Sequence, residues 1–332
     1  MLYIHVPFCK SFCIYCDFYS ELQGSVEQYA EQVIAEIRSK AAEIAAHRVK
    51  TIYIGGGTPS CLPSAILRRI ISAALEVAGP VSEFTVEVNP DDVTPNLASE
   101  LKSLGVTRIS MGVQSLSDPM LRWMRRRHSA RQVLDAFRTL REAGFTNISL
   151  DLIFGIAGLT DNTLSDTLDA LLALGPEHIS AYQLSVEPGS ALCALAEKGL
   201  YRELTDEDCA GQYALICDSL RGAGYVHYEI SNWAKPGFEA VHNSAYWTRE
   251  PYVGVGPGAH SLSQDGLTRS WNSCKVSGWG REGSEQLTDE QVMEEKVMLG
   301  LRTARGFDGT VIPEKDWFVS DSVIADYLAK IS

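Results

Sequence analysis

The chain has 332 residues, 45% of them hydrophobic and 21% charged, with a formal net charge of −13. That length holds one large domain or two smaller ones, and no run approaches the roughly 18 uninterrupted apolar residues of a membrane helix. The acidic balance repels polyphosphate backbones and sets nucleic acid aside as the main partner. Eight cysteines, and an N-terminus (MLYIHVPF) with no basic leader, point to a reducing cytoplasm where thiols serve metals or cores rather than disulfides.

The first expected strand, LYIHV (2–6), runs into FCKSFCIYCDF (8–18), which places Cys9, Cys13 and Cys16 within eight positions. Structural zinc asks for four closed ligands, usually as two separated pairs, and no downstream pair answers this triplet. His5 lies on the strand and reads as a packed side chain. An iron–sulfur cluster normally takes four thiolates, so three would leave one iron open to another ligand. Cys61, Cys193, Cys209, Cys217 and Cys274 are scattered singly and read as small packed hydrophobes.

Apolar residues at i, i+3, i+4 spacing predict a helix over 26–46. The second strand, TIYIG (51–55), ends in Gly55-Gly56-Gly57-Thr58, where glycines would let a ligand approach the backbone closely. FTVEV (84–88) closes at Glu87 and is followed by a helical LASELKSLG. RISMGV (108–113) closes at Gln114, ISLDLIF (148–154) carries Asp151 in an apolar run, and HISAYQL (178–184) ends near Gln183 and Ser185. Six strand-then-helix units predict a parallel sheet with right-handed crossovers, forming an open or partial α/β barrel. In such a barrel function gathers at the C-terminal ends of the strands.

After Gly224 the texture turns to aromatics, glycine and turn residues. A boundary is therefore expected near residue 225: a barrel over 1–225 and a smaller α+β or helical domain over 226–332, with Tyr252 to Ser261 able to fold back onto the barrel mouth. A helix is expected from residue 288, in TDEQVMEEKVMLGLRTA.

A C-x-x-x-C-x-x-C loop followed by IYIGGGTPS resembles the radical S-adenosylmethionine superfamily. YIHVPFC, FCIYCDF, GGGTPS, EVNP, ISMGVQS, DLIFG and GPGAHS, in that order from residue 2 to about residue 305, resemble its oxygen-independent coproporphyrinogen III oxidase branch. The resemblance implies a 4Fe–4S cluster on Cys9, Cys13 and Cys16, whose open iron takes the amino and carboxylate groups of S-adenosylmethionine. It places Tyr3 and Tyr15 beside cofactor and cluster, and Gly56, Gly57 and Thr58 at the methionine part. Glu87, Gln114, Arg126, Asp151 and Ser185 complete that pocket, with His260 a further member. Carboxylates suit ammonium or ribose hydroxyl groups, and Arg126 suits a carboxylate. In the cluster LRWMRRRHSAR, Arg122 and Arg131 read as a solvated helix face, while Arg125 and Arg127 are alternatives for tetrapyrrole propionates.

Three features depart from the oxidase. Phe18 stands where the oxidase has another cysteine, the long N-terminal extension is missing, and HNSAYW (242–247) is similar to the H-N-x-x-Y-W pattern of the heme-chaperone family within this branch. That similarity implies heme binding and transfer to recipient heme proteins, including respiratory-chain components. His242 is then a candidate axial ligand, with Asn243, Tyr246 and Trp247 around the macrocycle; the alternative is an asparagine-stabilised turn whose aromatics close an interface. The resemblance implies a C-terminal domain finishing in a small helical module, and the sequence to Ser332 is expected to fall short of it. The expected function is a heme chaperone carrying a cluster and S-adenosylmethionine. Radical decarboxylation of coproporphyrinogen III, or another radical reaction on a tetrapyrrole such as heme ring opening, is the alternative. A homodimer and peripheral contact at the inner face of a membrane stay open.

Overall fold

The computed structural model describes residues 1–331. Six parallel strands form in chain order: β1 (Leu2–Val6), β2 (Thr51–Gly56), β3 (Glu83–Val88), β4 (Arg108–Gln114), β5 (Ile148–Phe154) and β6 (His178–Gln183). Each pairs with the next, Ile4 opposite Ile54 and Val86 opposite Ile109. Their side chains alternate with the period of two of a pleated strand. Leu2, Ile4, Ile52, Ile54, Phe84, Val86, Ile109 and Met111 are fully buried toward the flanking helices. Tyr53, Glu87, Arg108, Ser110 and Asp151 point the other way, into the barrel.

The sheet does not stop at residue 225, where a boundary was expected. β7 (Val226–Glu229) and β8 (Asn232–Ala234) turn back antiparallel onto β6, and β9 (Val253–Val255) pairs parallel with β1. The strand order is β7-β8-β6-β5-β4-β3-β2-β1-β9, an open nine-stranded barrel wall. Both edges of the wall thus come from the segment beyond residue 225. β10 (His260–Leu262), β11 (Thr268–Asn272) and β12 (Arg281–Gln286) make a separate antiparallel sheet.

The expected helix over 26–46 forms as two, Val26–Ser39 and Ala41–Ala46, divided at Lys40. Ser25 caps the first by accepting from the Gln28 amide, and Tyr29, Ala30, Val33 and Ile37 form its buried stripe. Lys40 leaves the helix to donate to Gly254 O (2.8 Å) and to pair with Glu36 (2.8 Å). Glu36 also accepts from the Gly256 amide, Asn272 Nδ2 and Trp279 Nε1 at 2.6–2.9 Å. Burial alone would raise this carboxyl; Lys40 and the other donors outweigh it and hold it below the usual range. One carboxylate therefore pins the small sheet to the barrel. At the far edge, Ile230 N donates to Arg302 O (3.1 Å) and Ala304 N to Tyr228 O (3.0 Å), so residues 302–304 cover β7.

The glycines after β2 pack against β1 and the chain leaving it. Gly57 N donates to Val6 O and Thr58 N to Phe8 O, each at 2.7 Å, so pairing continues past the strand ends. A Cβ on Gly57 would lie 2.6 Å from Phe8 O and 2.9 Å from Val6 O, both backbone atoms. Gly57→Ala is therefore expected to cost about 1–3 kcal/mol through overpacking, read as a lower thermal midpoint; an unchanged midpoint would contradict this packing.

Candidate cluster and cofactor cavity

The loop after β1 is closed on itself by Cys9 N to Glu21 O (3.1 Å) and Glu21 N to Pro7 O (2.6 Å). It is held over the barrel by Ile14 N to Met124 O (3.2 Å) and Leu192 N to Ile14 O (2.8 Å). Cys9, Cys13 and Cys16 all line one cavity of about 570 Å³ at the C-terminal ends of the strands. Cys9 Sγ lies 3.5 Å from Thr58 Oγ1, and Cys13 Sγ accepts from Arg126 Nη1 at 3.3 Å. Burial pushes the Cys16 thiol up to about 11, so its thiolate needs a bound cation or cluster to persist at neutral pH.

A single tetrahedral ion with sulfur at about 2.3 Å would draw its thiolates to within roughly 4 Å of one another. Among the described residues, three ligating atoms within 4.8 Å of one another occur instead at Cys217, His227 and Glu314. There Glu314 is engaged by His227 Nδ1 (2.8 Å) and Arg221 (2.9 Å), a joint that fastens the C-terminal segment to the barrel. The loop cysteines border open space, as a multi-iron cluster held by three thiolates requires.

The expected cofactor residues largely converge on this cavity. Tyr15, Gly56, Gly57, Thr58, Glu87 and Gln114 border it, as do Arg126, Asp151 and Ser185. Gln114 adopts φ +67°, and a register shift at the end of β4 brings its side chain to the cavity. Arg126 donates to Gly112 O (2.8 Å) and to Asn89 Oδ1, so one guanidinium joins β4, the loop after β3 and a cluster cysteine. Ser185 sits exposed at the rim, donating to Glu187 (2.6 Å). Arg127 is spent on Asp91 and Asp92.

The wall is electrostatically unusual. Glu87 accepts from Tyr53 OH (2.7 Å) and Gly56 N (3.2 Å), yet burial raises its carboxyl to about 7. Burial also raises Asp151, although Ser110 Oγ donates to it at 3.2 Å. The glycines differ from expectation: a Cβ on Gly55 would meet the Glu87 carboxylate at 2.6 Å, and one on Gly56, at φ +107°, the His5 ring at 2.5 Å. The room they leave is taken by the protein's own groups.

Other expected residues lie elsewhere. Tyr3 is on the interior face beside Tyr53 (ring centroids 6.2 Å) but does not border the cavity, its hydroxyl donating to His5 Nδ1 (3.0 Å) while His5 Nε2 donates to Tyr19 O (3.0 Å). His260 is exposed on β10, stacked on Trp271 at 6.0 Å, and does not border the cavity. His242 is buried on the helix Val241–Trp247, with Nδ1 bonded to Thr51 Oγ1 (2.8 Å) and Nε2 to Tyr246 OH (3.2 Å). Both ring nitrogens are engaged, and burial holds the imidazole neutral, down at about 3. The reading of His242 as an axial heme ligand therefore gives way to that of a strut between helix and sheet. Tyr246 packs on His242 and Tyr252. Neither Tyr246 nor Trp247 borders the cavity; of this motif, only Asn243 does. Tyr53, Arg108, Ser110, Ser180 and Tyr182 also border it and were missed; the two-residue alternation along their strands is the signal that would have found them.

The Radical SAM superfamily profile matches residues 3–171. The heme chaperone HemW of Bacillus subtilis is 37% identical over 327 residues, covering 94% of this chain and 86% of the relative. The chain belongs to the HemW family. HemW of Escherichia coli is 35% identical over 78% of this chain and 69% of its own length. A mitochondrial radical S-adenosyl methionine domain-containing protein 1 from Bos taurus is 33% identical, over 92% of this chain and 73% of its own length. Among solved structures, the coproporphyrinogen III oxidase HemN of Escherichia coli superposes with a TM-score of 0.76 at 21% identity, covering 91% of this chain and 75% of that one. That likeness shows that the two share a fold. The matched segment includes both the cysteine loop and the glycine turn that border the cavity.

Two outcomes test this site. Replacing Cys9, Cys13 and Cys16 together by alanine should abolish the brown absorbance of anaerobically reconstituted protein; survival of that absorbance would remove the triplet as cluster ligands. Glu87 binds its proton more tightly folded than unfolded, so its contribution makes stability fall as pH rises from about 4.5 to about 7, by on the order of 3 kcal/mol. Glu229, raised by burial to about 8, acts in the same direction. Chemical denaturation across this range should give a clearly shallower slope for Glu87→Gln, and an unchanged slope would show that Glu87 is ionised throughout.

Proposed function

We propose that this chain binds heme and transfers it to recipient heme proteins, with a 4Fe–4S cluster on Cys9, Cys13 and Cys16 and S-adenosylmethionine beside it. The observation that carries the reading is the 37% identity, over 94% of the chain, to a protein named as a heme chaperone. The chemistry of the cavity is compatible with it. Three thiols and Arg126 suit an anionic iron–sulfur centre, and Gln114 and Glu87 are placed to hold a polar cofactor beside it. When bound, the cluster would supply electrons and an open coordination position. The chain's own part is to hold the half-buried thiols at the cavity and set the charge of Cys13 against Arg126.

That loop also presents Phe12 (47% exposed) and Phe18 (68% exposed), both bordering the cavity. Exposed aromatic faces at a cavity rim suit a flat apolar ring system, and Phe18 replaces the additional cysteine expected of an oxidase. Among the described residues no helix is long and apolar enough to cross a membrane; delivery to a membrane-embedded acceptor would then proceed through peripheral contact.

An anaerobic heme titration followed at the Soret band is expected to saturate near one heme per chain and to survive His242→Ala, whose effect falls on stability. Turnover of coproporphyrinogen III with S-adenosylmethionine is expected to be absent. Absent heme binding together with turnover would reverse the assignment in favour of radical decarboxylation.

A further inference from the structure

Two polar side chains at the bottom of the cavity have no hydrogen-bond or ion-pair partner among the described residues. Arg108 opens β4 and is 1% exposed. Its Nε is fully buried with no hydrogen bond, and among the described residues no ion pair holds its guanidinium. Asn243, on the helix that closes the barrel beneath the strand starts, borders the same cavity, and its amide makes no hydrogen bond among the described residues. That helix is seated by Glu83, the first residue of β3, which accepts from the Val241 and His242 amides at 2.9 and 2.8 Å.

An arginine keeps its charge under all ordinary conditions, and a buried charge without a partner is costly. The nearby carboxylates feel its charge, which draws both Glu87 and Asp151 down, but among the described residues neither forms an ion pair or hydrogen bond with it. Glu87 is held by Tyr53 and Gly56, Asp151 by Ser110, and burial moves both toward the neutral acid. A forked cation almost wholly buried at the cavity wall and a half-buried amide beside the same cavity are the donors that recognise a carboxylate. Arg108 precedes Gly112, where Arg126 meets the strand beneath the cluster loop, by four residues, or roughly 13 Å at about 3.3 Å per residue. The floor therefore starts lower along β4 than the Arg126 contact, within electrostatic reach of Glu87 and Asp151.

We infer that Arg108 and Asn243 form a carboxylate-binding subsite at the closed end of the barrel, four residues along β4 before the Gly112 contact of Arg126. The carboxylate is either a propionate of a tetrapyrrole, an assignment that rests on the proposed function, or that of a small free acid. Both present the same planar anion to the same fork.

The test uses the full chain, reconstituted anaerobically, with calorimetric titrations of heme, heme dimethyl ester, acetate and S-adenosylmethionine, and thermal unfolding without ligand. Arg108→Gln is expected to weaken heme about tenfold or more and to leave the dimethyl ester and S-adenosylmethionine unchanged. It should also raise the unfolding midpoint of the ligand-free protein, because an unpaired buried charge is removed. Asn243→Ala should weaken heme in the same selective way by a smaller factor. If acetate binding rather than heme binding depends on these residues, the subsite stands and its source is a free acid. This arm stays decisive even if wild-type protein binds no heme, an outcome that would count against the chaperone reading alone. A lower midpoint for Arg108→Gln with every titration unchanged would make Arg108 a structural strut and overturn the inference. If Arg108→Gln does not fold, unchanged heme and acetate binding by Asn243→Ala overturns it equally.

Discussion

The site depends on two backbone hydrogen bonds. Gly57 N to Val6 O and Thr58 N to Phe8 O carry the β1–β2 ladder past the ends of its strands, which fixes where Cys9 begins its loop. Those bonds need chains closer than any Cβ at Gly57 would permit, and so the glycine turn is a requirement of the protein's own packing first. The cofactor end inherits its shape from that contact. Cys9 lies against Thr58, and the opposite side of the loop is tied to Arg126 through Cys13, so both walls of the cluster pocket are referenced to strands rather than to flexible loops.

Below the loop, the barrel interior concentrates groups that a stability-driven core would exclude. Glu87, Asp151 and Arg108 are withdrawn from water, and the two carboxyls are displaced toward neutrality. The outer face of the same strands is an unbroken aliphatic layer against helices, and that layer supplies the hydrophobic stabilisation that tolerates a polar lumen. The division is made within single strands: Ile109 and Met111 look outward while Arg108, Ser110 and Gly112 look in.

Much of this was legible before any coordinates. Short β-rich runs marked all six parallel strands, apolar outward residues alternating with polar or small ones that face the barrel. Cysteine spacing marked the loop whose three thiols line the cavity. What escaped was set by distant partners. His242 looks like a ligand by residue type, but its nitrogens are claimed by Thr51, 191 positions away, and by Tyr246. His260 follows a loop in which Gly256 and Gly258 take φ of +100° and +71°, and the chain turns outward there. The division at residue 225 followed a real change in composition, yet the short strands β7, β8 and β9 were recruited by the two open edges of a sheet built earlier in the chain, a demand no local window can display. Arg108 stands at the start of a strand, where the rule that function gathers at strand C-termini does not reach.

The covering of β7 by residues 302–304 also bears on how the molecule behaves among copies of itself. An open barrel wall leaves two rows of unsatisfied amides and carbonyls, and such rows are templates for adding another chain's strand. Here Arg302 and Ala304 occupy the β7 row in an irregular segment too short to continue the ladder outward, with Thr303 bridged to Glu229. The wall stays open enough to keep an accessible lumen, while its outermost strand is blunted against edge-to-edge polymerisation. Colloidal solubility and an uncovered cavity, which compete in an open sheet, are reconciled by three residues far from the chemistry.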